Sequence, residues 1–236
     1  MSPCPHARST YGPLLIERAN DVTFRLSVTA AYGMVIPEVL DAIGERFAFL
    51  DIGANAGIFS LVAASKDLCT KVVSVEPVSM TFATLVENIR LNGANKIVPL
   101  CGAISDMDTP LVALTYNAGH SGASQISVRS SAATVIAPVL PLALLDAILD
   151  DCGRVIVKID VEGHEVNVLR ALSEARFLAR VTDMIIEIST STGGGAGHAA
   201  ATREAVLGMG FVERTIPKRE AKVHYDAHFS REGGKA

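Results

Sequence analysis

The 236-residue sequence has no excess of positive charge: 21 lysines and arginines stand against 25 aspartates and glutamates, a formal net charge of −4. A surface that holds nucleic-acid phosphates needs concentrated Lys and Arg, so no nucleic acid is expected as partner. Cysteine is scarce, and Cys4, Cys69, Cys101 and Cys152 have neither metal-type nor redox-type spacing. Cys69 and Cys101 lie in apolar surroundings and read as small core residues. Long apolar runs are also missing, although 49% of residues are hydrophobic. Residues 135–149, the most apolar region, are broken by Pro138, Pro141 and Asp146, so no membrane span is expected. Residues 1–6 lack the apolar core of a signal peptide, and a soluble cytoplasmic protein is the expectation.

Three motifs are absent as well. The loop Gly53-Ala54-Asn55-Ala56-Gly57 has Asn55 where the dinucleotide fingerprint needs its second glycine. No Gly-Lys-Ser/Thr follows it, so it is not a phosphate-cradling loop. Nor does the chain carry the Asn-Pro-Pro-Tyr signature that brings an amide or base amino group to a methyl donor. These gaps disfavour a nicotinamide oxidoreductase and a methylase of macromolecules.

What is present is a repeated pattern of apolar runs that end on acids. Phe47-Ala48-Phe49-Leu50-Asp51-Ile52 enters the small-residue loop and leaves as Ile58-Phe59-Ser60-Leu61-Val62, which reads as strand, tight loop and helix. Val72-Val73-Ser74-Val75 ends at Glu76, and Val155-Ile156-Val157-Lys158-Ile159 ends at Asp160. Further strands are read at residues 97–101, where Pro99 points to a sheet edge, and at 111–116 and 184–188. Residues 211–216 and 222–229 read as a final antiparallel pair. Helices follow Pro37, Pro77 and Pro141 and cover 165–178 and about 199–207. The helix after Pro77 carries the stripe Phe82, Leu85, Val86, Ile89. Val22, Phe24, Leu26 and Val28 alternate, predicting a half-buried strand over 21–28. The division expected is 1–46 as arm, strand and helix, 47–230 as an α/β core, and 231–236 as a frayed tail.

Ligands of open α/β sheets bind at the carboxyl ends of the strands. There, small residues at Gly53, Ala54 and Gly57 allow close backbone approach, and the following helix start suits a carboxylate. Asp51 suits an ammonium group. Glu76, 25 positions further on (76 − 51), suits ribose hydroxyls. Gly102-Ala103-Ile104-Ser105 offers an apolar wall for adenine. Together, in this order, they point to an S-adenosylmethionine site formed by Asp51, Gly53, Ala54, Asn55, Gly57, Glu76, Pro77, Ala103, Ile104 and Asp160.

Residues 49–57, Val75-Glu76-Pro77, Glu87-Asn88-Ile89-Arg90-Leu91-Asn92, Ala103-Ile104-Ser105-Asp106 and Val157-Lys158-Ile159-Asp160-Val161-Glu162-Gly163-His164-Glu165 resemble the FkbM-type methyltransferases. The resemblance spans roughly 47–189 and leaves 193–236 and the N-terminal stretch unmatched, the parts expected to choose the acceptor. It implies a class I methyltransferase Rossmann-like fold, with a seven-stranded, mostly parallel sheet and a C-terminal antiparallel strand pair. It also implies O-methylation of a sugar or natural-product hydroxyl, with S-adenosylhomocysteine as product.

An alcohol needs a general base at neutral pH. Asp160, Glu162 and His164 are the candidates: His164 has the fitting unperturbed pKa, and Asp160 can orient it, hold the hydroxyl or act as base. Asp160, Glu162 and Glu165 also resemble a set of hard oxygen ligands, but acids after a strand end favour the next helix start, and no metal is expected. Other readings are methylation of a macromolecule and a cofactor-binding protein without turnover. A homodimer is expected from the arm and the exposed-strand candidate, which need a packing partner.

Overall fold

A computed structural model describes residues 5–18, 20–126, 134–189, 196–214 and 224–231. Strands β1 (His6–Arg8) and β2 (Leu14–Ile16) form an antiparallel hairpin, and helices α1 (Val22–Thr29) and α2 (Val35–Ala42) follow. Then come β3 (Phe47–Ile52), α3 (Ile58–Ala64), β4 (Cys69–Glu76), α4 (Ser79–Leu91) and β5 (Ile97–Cys101). A separate three-stranded sheet holds β6 (Leu111–Thr115), β7 (Gln125–Ile126) and β8 (Thr134–Pro138). The chain returns through α5 (Leu142–Ile148), β9 (Val155–Ile159), α6 (Glu165–Ser173), β10 (Val181–Ser189), α7 (Ala196–Gly208), β11 (Phe211–Glu213) and β12 (His224–Arg231).

The main sheet has seven strands in the order β11-β12-β10-β9-β3-β4-β5. The pairs from β10 to β5 are parallel, and β12 runs antiparallel to both β10 and β11. This is the Rossmann-like sheet with a C-terminal antiparallel pair that the sequence implied. Pro99 lies on β5, an edge strand, where its missing N–H costs no ladder bond.

Strand alternation separates two apolar layers. Ala48, Leu50 and Ile52 pack with Leu145, Val168, Leu172 and Val206 of α5, α6 and α7. Phe47 and Phe49 pack with Val35, Ile36, Leu40 and Leu61 of α2 and α3. Along this second face each strand turns polar toward its carboxyl end: Phe49 gives way to Asp51, Val72 to Ser74 and Glu76, Ile156 to Lys158, Ile185 to Glu187. The sheet thus delivers its polar side chains to one place.

Several sequence expectations are corrected. Residues 21–28 are not a strand: Asp21 caps α1 by accepting the Thr23 N–H at 2.9 Å, and Thr23/Ser27 and Phe24/Val28 turn inward at i, i+4 spacing. A capped turn outweighed the alternation. Helix α2 begins before Pro37, which occupies the first turn, where no N–H is required. The helix expected over 165–178 ends at Ser173 and resumes as a 3₁₀ turn, Arg176–Arg180. The inner face of α4 is Thr81, Leu85 and Asn88, rotated from the apolar stripe. Of the loop expected at 192–197, Ala196 and Gly197 open α7 and the rest lies outside the described residues; of the tail expected at 231–236, Arg231 closes β12 and the rest lies outside them. No helix among the described residues is long and apolar enough to cross a membrane.

Asn88 and Asn92 explain that rotation. Asn88 accepts the Ile16 N–H and donates to Ala56 O, both at 2.8 Å. Asn92 accepts the Leu14 N–H at 2.8 Å and donates to Leu14 O at 2.7 Å. Two side-chain amides therefore dock the N-terminal hairpin on α4 of its own chain.

Candidate active site

A cavity of about 430 Å³ opens at the carboxyl ends of the parallel strands. It is lined by Gly53, Ala54, Asn55, Glu76, Pro77, Ala103, Ile104, Asp160, Glu162 and His164. Ten sequence-predicted residues thus meet in one place. The other two do not reach it. Gly57 turns into α3 at φ 87° against Leu85. Asp51 is completely buried beneath the cavity, where Oδ2 accepts from Ser60 Oγ at 2.6 Å and Oδ1 lies 3.3 Å from Lys158 Nζ.

The loop after β3 is tightened by its own backbone. Gly53 N and Ala54 N both donate to Val75 O at 3.0 Å, Asn55 N to Glu76 Oε2 at 2.9 Å, Ala56 N to Asn55 Oδ1 at 2.7 Å and Gly57 N to Ala54 O at 2.8 Å. Every N–H from Gly53 to Gly57 is therefore occupied within the loop and its neighbouring strand. Gly53 is required by contact as well as by φ (79°): a Cβ there would lie 1.8 Å from Asp160 O.

Glu76 bridges this loop and the start of α4, for Oε1 accepts the Val78 N–H at 2.9 Å. Burial pushes its carboxyl up to about 7, against the pull of the Val78 and Asn55 N–H groups. Lys158 is pulled down by burial and raised further by Asp160 and Asp51, so its ammonium stays above the usual lysine range.

The turn after β9 holds Glu162 at φ 53° and Gly163 at φ 99°. Glu165 secures it, Oε1 accepting the Gly163 N–H at 3.0 Å and the Val161 N–H at 3.3 Å. Glu165 is therefore a turn anchor and not a member of a metal set. The carboxylates that converge are Asp160, Glu162 and Glu187, with one oxygen each within 4.8 Å of the others. Their hard oxygen chemistry suits a divalent cation. Burial first, then mutual repulsion with Asp160, raises the pKa of both Glu162 and Glu187. His224 Nδ1 stands 3.7 Å from Glu187 Oε1.

His164 faces the same cavity, with Nε2 2.9 Å from Ser105 Oγ. Burial lowers its pKa, so the ring is neutral at neutral pH. Further walls come from residues the sequence reading had not assigned to the site: Thr23 and Leu26 of α1, Tyr32, Phe59, Lys158, Glu187, Ser121 and His224. Tyr32 stacks edge-on against Phe59 with centroids 5.4 Å apart. The lysine in the apolar run of β9 and the glutamate in that of β10 were visible signals. Nothing marked Tyr32 or His224.

A family model described as the methyltransferase FkbM domain matches residues 51–213, more than half of the chain. The chain belongs to the FkbM methyltransferase family. No curated protein matches it. Among solved structures it is similar to an uncharacterized protein from Listeria monocytogenes serotype 4b, with 14% identity and a TM-score of 0.51 over 86% of this chain and 70% of that one. It is also similar to a proposed rRNA methylase from Clostridium thermocellum, with 10% identity and a TM-score of 0.52 over 84% and 93%. At such identities the likeness is one of fold. The matched span contains Gly53, Glu76, Ala103, Asp160, Glu162 and His164, which line the cavity.

Proposed function

We propose that the protein transfers a methyl group from S-adenosylmethionine to a hydroxyl of a small molecule, a sugar or natural product. The observation that supports this best is the gathering of Glu76, Asp160, Glu162 and neutral His164 around one cavity of about 430 Å³. The residues fit the donor. Glu76, whose carboxylate has only backbone N–H partners, takes ribose hydroxyls. Pro77, Ala103 and Ile104 flank adenine, and Asp160, unlike sealed Asp51, is open to an ammonium group. When bound, S-adenosylmethionine supplies a methyl carbon already activated by its sulfonium and leaves as S-adenosylhomocysteine.

The chain's own task is to align the acceptor and accept its proton. His164 serves as base in the tautomer that donates Nε2–H to Ser105 Oγ, which leaves Nδ1 with the lone pair. Asp160 and Glu162 hold the acceptor hydroxyl. His164 would take the proton that the acceptor hydroxyl releases.

Calorimetric titration with S-adenosylmethionine and S-adenosylhomocysteine, followed by incubation of methyl-labelled donor with a panel of hydroxylated acceptors, tests the reading. Binding of both compounds, lost in Glu76→Ala, is expected, with label recovered as a methyl ether. Near-normal turnover in both His164→Ala and Asp160→Asn would overturn the catalytic assignment. Absence of binding would overturn the donor.

A further inference from the structure

Strand β9 is apolar except at Lys158, and that side chain is only 2% exposed. An ammonium buried to this degree must be paired, for desolvation costs several kcal/mol. Lys158 Nζ lies 3.3 Å from Asp51 Oδ1 and 3.2 Å from Asp160 Oδ2, and donates to Gly53 O at 3.4 Å. Its fourth neighbour is the Phe59 ring, with the centroid 5.5 Å away. Asp51 Oδ1 accepts no hydrogen bond among the described residues, so the lysine charge is what meets it. One cation serves two carboxylates of opposite standing: Asp51 is sealed at 0% exposure, whereas Asp160 is 22% exposed to the cavity.

We propose that Lys158 is the positioning residue of this site. From one ammonium it neutralises Asp51 below the cavity and fixes the Asp160 carboxylate and the Gly53 carbonyl at the cavity floor, where the ammonium group of the methyl donor is received. The inference rests on the cofactor reading above and adds to it which group sets the geometry.

The two roles separate in a charge-conserving variant. Asp51→Asn with Lys158→Met removes one charge of each sign, so the trio stays at −1 (−2 + 1 before, −1 after). The amide oxygen introduced by Asp51→Asn still accepts from Ser60 Oγ. Thermal melts and calorimetric titration with S-adenosylhomocysteine are run on wild type, Lys158→Met, the double variant and Asp160→Asn. Lys158→Met is expected to melt far lower or fail to fold, because it strands Asp51. The double variant is expected to recover most of the melting temperature yet bind S-adenosylhomocysteine at least ten-fold more weakly, as Asp160→Asn does. Adding Asp160→Asn to the double variant then weakens binding little further.

A double variant that binds within three-fold of wild type would show that Lys158 only neutralises Asp51, and would overturn the positioning role. So would a full, additive loss when Asp160→Asn is added. Wild-type protein that binds neither sulfur compound would instead overturn the cofactor reading itself, an outcome visible before any variant is compared.

Discussion

His198 Nε2 on α7 lies 2.6 Å from Glu165 Oε2, 33 positions away in sequence and at the first residue of α6. The other oxygen of that carboxylate receives the two N–H groups that shape the Asp160–His164 turn. A histidine from a neighbouring helix thus holds the anchor of the turn that carries Glu162. Replacing His198 by Ala leaves a buried carboxylate oxygen without a partner, a loss of about 1–3 kcal/mol. For a chain of this size that is a fall of roughly 2–12 °C in melting temperature. Scanning calorimetry reads the fall. His198→Gln, which can still donate, is expected to recover part of it.

Glu76 makes binding depend on pH. Its folded carboxyl titrates at about 7, above the ordinary 4.5. A raised acid stabilises the empty protein fully below pH 4.5 and loses that contribution as pH rises through about 7. A ligand that donates hydroxyls to the carboxylate favours the ionised form, so binding releases a proton. S-adenosylhomocysteine is expected to bind roughly ten-fold more tightly at pH 8 than at pH 6, and Glu76→Gln to flatten this dependence. Titration in buffers of different ionisation enthalpy measures the proton release directly.

Gly53→Ala drives a methyl into backbone. The added carbon would meet the Asp160 carbonyl at 1.8 Å, on a backbone with positive φ. The loop must move away from β9, and both cofactor binding and the cooperative melt are expected to suffer. Gly44→Ala, where a Cβ meets nothing within 4 Å, is the matched control and is expected to melt as wild type does.

Asn88 is fully buried and uses both ends of its amide. Asn88→Asp keeps the shape and the acceptor for Ile16 N but puts a carboxylate against Ala56 O, which needs a donor. It should therefore destabilise at least as much as Asn88→Ala, by about 1–3 kcal/mol. Urea unfolding of the two variants decides the order. A harmless Asn88→Asp would show that the amide end is dispensable.

Much of this architecture can be read from the chain because parallel strands buried on both faces are nearly continuous apolar runs. Strands β3, β4, β9 and β10 announce themselves in that way, and the acids that close them mark the carboxyl edge of the sheet. Glu76 and Asp160 were legible on that ground. Depth was not. Asp51 and Asp160 are both acids at the ends of adjacent strands, but only the folded sheet shows that Lys158 lies between them and that one is covered. Helix α1 escaped because Val22, Phe24, Leu26 and Val28 satisfy a period of two while Asp21 and Thr23 supply the cap that decides for helix. Glu187, His198 and His224 lie on later elements, and the meeting of Glu187 with Asp160, of His198 with Glu165 and of His224 with Glu187 follows from the tertiary fold, which no local pattern encodes.

The family-matched span begins at Asp51 and ends at Glu213, yet the cavity is not closed within it. Thr23, Leu26 and Tyr32 arrive from before that span and His224 from after it. The pocket therefore has a shared foundation and private walls. In this chain the family-matched foundation and part of the cavity's wall occupy different stretches of sequence.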